Sequence, residues 1–146
     1  MSGEFLGESE NSVHKGRIII PATFKARFSV ESNQTVVMTL TEDLSIAIYP
    51  LDCWAMVKEK LINGDERQKK VLTLLKRFAS EQQLEGPGRV KLSDFMLEKA
   101  NITDKVMMRG EGDHITVWNP ERYIMERDKD LDDLGKICRA EDRSVN

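Results

Sequence analysis

Lys15-Gly16-Arg17-Ile18-Ile19-Ile20-Pro21 decides how the rest of this chain is read. A glycine between two cations makes a turn, and three β-branched residues make the strand that follows. Proline then ends the strand, because it has no N–H to give to a ladder. The scheme returns 72 positions later as Pro87-Gly88-Arg89-Val90-Lys91-Leu92-Ser93. The sequels correspond as well: Ile46, Ile48, Tyr49 and Trp54 recur as Ile115, Val117, Trp118 and Tyr123, each 69 positions on. The chain is an internal duplication.

Working outward, 22–28 reads as a short helix with Phe24 and Phe28 on one side and Lys25 and Arg27 elsewhere on its surface. Strands are expected at 35–40 and 44–49, the second alternating Leu44, Ile46 and Ile48 with small residues. Asp52 is placed to cap a helix over 53–62, and Asn63-Gly64-Asp65 breaks it. A second helix, 66 to about 80, sets Val71, Leu74, Leu75 and Phe78 against a surface of lysines and arginines. The second copy then replays strand, helix and hairpin. Ser93 caps a helix through 101, Gly110-Glu111-Gly112-Asp113 turns a hairpin of 106–108 and 115–118, and Pro120 opens a helix over about 121–134. The organisation expected is a first half at 5–62, a linker helix at 63–83, a second half at 84–135 and a flexible tail at 136–146. Residues 1–12 either add an edge strand or fray.

Each half has about three strands and cannot bury much surface alone. The two must therefore share one β core. The expected class is α+β and β-rich, with antiparallel strands forming a closed or nearly closed barrel flanked by helices.

Net charge is −3, which by itself argues against a nucleic-acid partner, but the distribution is polarised. Between His14 and Val30 stand Lys15, Arg17, Lys25 and Arg27 and no acid. From Glu66 to Ser80 five cations meet one acid, whereas from Glu121 to the end eight acids meet six cations. No apolar run reaches the ~18 residues of a membrane span, and the first residues lack the basic and apolar segments of a secretory signal. Cys53 and Cys138 match no metal or redox spacing, which fits a reducing cytoplasm. Neither His14 nor His114 has partners at metal spacing. Tyr49, Trp54, Trp118 and Tyr123 read as core or interface aromatics. No nucleophile with its base, paired carboxylates or phosphate-cradling glycine loop is recognisable, so no enzyme, cofactor or small-molecule substrate is expected.

The pair Lys15-Gly16-Arg17…Pro21 and Glu85-Gly86-Pro87-Gly88-Arg89, with Phe5-Leu6-Gly7-Glu8 ahead, Tyr49-Pro50-Leu51 and Trp54 between, and Ile115-Thr116-Val117-Trp118 behind, resembles the MraZ family. These are bacterial regulators with tandem SpoVT/AbrB-like, swapped-hairpin domains, and the resemblance runs from about residue 5 to 134. It implies a ring of subunits that binds repeated promoter boxes on double-stranded DNA, in the cytoplasm at the nucleoid, and represses its own division and cell-wall gene cluster. Multivalency would make such binding tight. The family's DNA-contacting arginine maps onto Arg17, and Lys15 belongs to the same loop; Lys25, Arg27 and Arg89 complete the candidate set. One departure stands out. The acid four residues ahead of the arginine is Glu85 in the second copy but Val13 in the first, so Arg17 must be held some other way. Glu85 is expected to pair with Arg89. Two rival readings use the same fold: an AbrB-type antitoxin, or an oligomeric scaffold, each holding a protein partner rather than DNA.

Overall fold

The computed structural model describes the backbone of residues 1–145 and the side chains of 1–141. The order of elements is β1 (Glu8–Ser12), β2 (Arg17–Ile19), α1 (Ala22–Lys25), a single 3-10 turn, β3 (Thr35–Leu40), β4 (Ile46–Pro50), α2 (Leu51–Ile62), α3 (Glu66–Arg77), β5 (Ser80–Gln83), β6 (Arg89–Lys91), α4 (Asp94–Lys99), β7 (Lys105–Gly110), β8 (Ile115–Trp118) and α5 (Pro120–Val145). No described helix is long and apolar enough to cross a membrane.

Six strands form one antiparallel sheet in the order β1-β7-β8-β4-β3-β5, and β2 pairs with β6 in a separate two-stranded ribbon. The order is palindromic under exchange of the two copies. Each copy supplies the outermost strand of the other: β1 lies on β7 and β5 lies on β3. Neither half can form its sheet without the other.

The α+β, β-rich class expected from the sequence is the one observed, but the barrel does not close. β2 and β6 are three residues long, and Pro21 and the helix capped by Ser93 stop them before they can ladder onto the sheet edges. Side-chain amides bridge the gaps instead. Asn11 Nδ2 of β1 donates to Ile19 O at 2.9 Å, and Gln82 of β5 donates to Lys91 O at 2.6 Å while accepting from Lys91 N at 3.0 Å. The two bridges sit at equivalent places in the two copies.

The core lies between sheet and ribbon. Ile18, Ile20, Val90 and Leu92 point inward from the ribbon onto Val36, Met38, Ile46, Ile48, Val106, Met108, Ile115 and Val117. Phe5 is fully buried and receives Phe24 and Phe28 edge-on, with ring centroids 6.0 and 5.7 Å away, so the first residues are pinned rather than frayed. Trp54, Trp118 and Tyr123 are buried; Tyr49 is half-buried and stacks on His114 at 4.5 Å.

Three further expectations are corrected. Asp52 does not cap α2, whose first turn begins after Pro50 without a side-chain cap. Its carboxylate instead accepts from Ser2 N at 2.6 Å, Ser2 Oγ at 2.9 Å, Ser29 Oγ at 2.9 Å and Cys53 N at 2.9 Å, tying the N-terminus down. Residues 63–83 are not helical throughout: α3 ends at Arg77 and β5 follows, unannounced because Ser80-Glu81-Gln82-Gln83 is a polar edge strand with no apolar alternation. Finally, α5 runs on past 134 to Val145, through the stretch expected to be a flexible tail; position 146 of that stretch lies outside the described residues.

Candidate nucleic-acid interface

The first turn is a two-residue type I′ hairpin. His14 and Arg17 exchange backbone hydrogen bonds of 2.9 and 3.0 Å, and Lys15 and Gly16 both have positive φ, 51° and 75°. Lysine in the left-handed region is a local cost, tolerated where the residue is needed for something other than the turn. The second turn is one residue longer. Glu85 and Arg89 exchange the corresponding bonds of 3.0 and 2.8 Å around Gly86-Pro87-Gly88. Gly88 has φ +112°, and its carbonyl accepts from Ile20 N at 2.9 Å; a Cβ there would stand 3.2 Å from the Lys25 side chain.

That extra residue changes the correspondence between the copies. Val13 N donates to Asp104 O at 2.8 Å just as Leu84 N donates to Gln34 O at 2.7 Å, and both side chains pack against the core. Val13 therefore matches Leu84, and His14 matches Glu85. The valine does not occupy an acid's place.

Strand alternation divides the ribbon into two faces. Ile18 and Ile20, with Val90 and Leu92, go inward; Arg17 and Ile19, with Arg89 and Lys91, go outward. Antiparallel register sets Arg17 directly opposite Lys91 and Ile19 opposite Arg89. Three cations drawn from both copies thus share one outer face, with Lys15 on the adjoining turn. Like charges directly opposite one another are unfavourable, so this face favours an anionic partner.

One acid partly relieves it. Arg17 Nε stands 3.9 Å from Glu85 Oε2, so the arginine of the first turn is braced by the carboxylate of the second. Glu85 was expected to serve Arg89; its ion pair is with Arg17. Both partners stay well exposed, at 38% and 56% of their side-chain surface, so the guanidinium is not walled off. A groove of about 690 Å³ runs here, lined by Asn11, Ser12, His14, Lys15, Arg17, Ile19, Glu85 and Arg89.

Of the residues singled out from the sequence, Lys15, Arg17 and Arg89 line this groove. Lys25 is half-buried and lies alongside Gly88 beneath the second turn. Arg27 is exposed but belongs elsewhere, with its stem near Gly3 and its carbonyl accepting from Gly3 N at 2.8 Å. Lys91 was missed. Its alternation with Val90 and Leu92 marks it as outward-facing, but nothing local says that it stands opposite Arg17.

The arrangement suits a polyanion with a regular backbone. A two-stranded antiparallel ribbon is narrow enough for the major groove of B-DNA, and arginine carries the fork that recognises guanine edges or phosphates.

No family model matches the chain. Among curated proteins it is similar to the "Transcriptional regulator MraZ" of Methylobacillus flagellatus, 30% identical over 118 residues that cover 79% of this chain and 80% of the relative. It is also similar to the proteins of that name from Shewanella baltica (strain OS185) and Shewanella sp. (strain MR-7). The first of these is 25% identical over 136 residues, or 90% of this chain and 87% of the relative. Identity of 30% over about four-fifths of both chains supports one conclusion: this chain belongs to the MraZ family.

Proposed function

We propose that this protein regulates transcription by binding double-stranded DNA through the outer face of the β2–β6 ribbon. The observation that carries the reading is the cation set Arg17, Arg89 and Lys91 on one face of a two-stranded ribbon, with Lys15 on its turn. Arg17 reads a base edge; Lys15, Lys91 and Arg89 neutralise phosphates, and Lys25 and Arg27 reach flanking ones. Residues 5–62 and 84–135 act as two AbrB-like halves. Several subunits in a ring engage repeated promoter boxes at once, in the nucleoid, and repress the gene cluster to which the protein's own gene belongs. What favours DNA over a protein partner is the mutual repulsion of Arg17 and Lys91 across the ribbon, which a phosphate backbone relieves.

Fluorescence anisotropy with the protein's own upstream DNA tests this. Arg17→Ala should abolish discrimination between that DNA and unrelated duplex while leaving the oligomer and the melting temperature unchanged. Unaltered affinity and specificity in Arg17→Ala would refute the assignment.

A further inference from the structure

The fold does not require Ile19 to be apolar. Ile18 and Ile20 on either side of it are each 1% exposed and carry the inner face of the ribbon, whereas Ile19 is 46% exposed on the outer one. Its counterpart 72 positions on is Lys91, so the ribbon accepts a polar side chain at this place. Among the described residues that line the groove, Ile19 is the one with an apolar side chain. It follows Arg17 on the same face of β2 and stands directly opposite Arg89. A lone exposed isoleucine is ordinary on most of a protein surface. In the middle of a cationic face it is not, because a phosphate gives an isoleucine nothing to contact.

The position is also held in place. Asn11 Nδ2 of β1 donates to Ile19 O at 2.9 Å, and Ile20 N donates to Gly88 O at 2.9 Å. Branching at Cβ leaves the side chain stiff about χ1, so little freedom is lost when it is covered. Successive side chains on one face of a strand are about 6.8 Å apart, and the bases of one DNA strand are about 3.4 Å apart. A ribbon lying along the major groove therefore sets Ile19 about two base steps from the pair assigned to Arg17. Of the four bases, thymine is the one whose major-groove edge carries an apolar group, its C5-methyl. The other edges offer donors and acceptors that isoleucine leaves unpaired, which costs affinity.

We infer that Ile19 is a specificity-determining residue that packs on the C5-methyl group of a thymine, about two base steps from the pair read by Arg17. This rests on the reading that the outer face of the ribbon enters the major groove of DNA, and it adds a second kind of readout to that face. The cations fix register and one polar base edge; Ile19 selects thymine at its own place and rejects the rest.

Uracil lacks that methyl group and pairs with adenine as thymine does, so the test is deoxyuridine substitution, one thymine position at a time, in the protein's own upstream DNA. Fluorescence anisotropy with the full wild-type chain should show a loss of about fourfold in affinity at one thymine position, the equivalent of one buried methyl group. Ile19→Ser should bind the thymine and uracil duplexes alike, and unchanged circular dichroism would show that this exposed position tolerates the change. The scan with wild type needs no variant. A wild-type chain that binds every uracil duplex as it binds the parent would overturn Ile19 as a thymine reader. So would a loss that persists undiminished in Ile19→Ser. Either result leaves DNA binding by the ribbon standing, whereas a wild-type chain that binds no duplex at all would overturn both readings.

Discussion

Arg17 is a residue whose chemistry is legible and whose environment is not. Its position after a Lys-Gly turn announces an exposed cation, but the carboxylate that orients it lies 68 residues away on the second copy's turn. Glu85→Gln separates attraction from orientation. Removing one negative charge from the groove should strengthen binding to unrelated duplex. Releasing Arg17 should lower the ratio of specific to non-specific affinity by about tenfold, the low end of what one guanine contact contributes. Anisotropy titrations on the two DNAs read both effects, which should move in opposite directions. Lys91 carries the complementary test as a phosphate contact. Lys91→Ala should weaken binding to every sequence alike and flatten the slope of log affinity against log salt by about 0.9. A sequence-dependent loss would instead make Lys91 a base reader.

At the scale of elements, the ribbon matters because it is short. Three-residue strands cannot reach the sheet edges, and Asn11 and Gln82 complete the enclosure with side-chain amides. Gln82 satisfies both the carbonyl and the N–H of Lys91, so Gln82→Ala should cost about 0.5–1.5 kcal/mol, measured by urea unfolding. It should also speed hydrogen exchange of the Lys91 amide more than that of the core strands. The repeat unit itself was readable, since Ile46/Ile48 and Ile115/Val117 alternate at a spacing of 69. β5 was not. An edge strand exposed to water needs no apolar period, so nothing in Ser80-Glu81-Gln82-Gln83 separates it from a loop or a helix end. Asp52 misled for the opposite reason. A carboxylate near a helix start fits a cap, but three donors from Ser2 and Ser29 fold back onto it from the N-terminal segment and the loop ahead of β3.

That carboxylate gives the whole molecule a pH dependence. Burial pushes the Asp52 carboxyl up, and the hydrogen bonds from Ser2, Ser29 and Cys53 together outweigh it, leaving the group below its ordinary value of 3.8. A depressed folded-state value means that its contribution to stability is fully present above 3.8 and is lost as pH falls through the folded-state value. Acid should therefore loosen the N-terminus. Asp52→Asn should lower the melting temperature at neutral pH and narrow the gap from wild type as the solution is acidified below 3.8, as thermal melts across that range would show. Since β1 seals the β7 edge, the same loosening exposes a sheet edge contributed by the other copy.

By itself the sequence determined the duplication, the alternation of Ile46 and Ile48 and of Ile115 and Val117 that marks the hairpin strands, and the α+β class. Those features depend on residues a few positions apart, where strand and helix periods act directly. The tertiary structure alone decided that β2 pairs with β6, that each copy caps the other's sheet, and that Glu85 serves Arg17 rather than Arg89. Pairing and register between distant segments are chosen by the burial of a shared core, and a period of two says which way a side chain points without saying what stands opposite it.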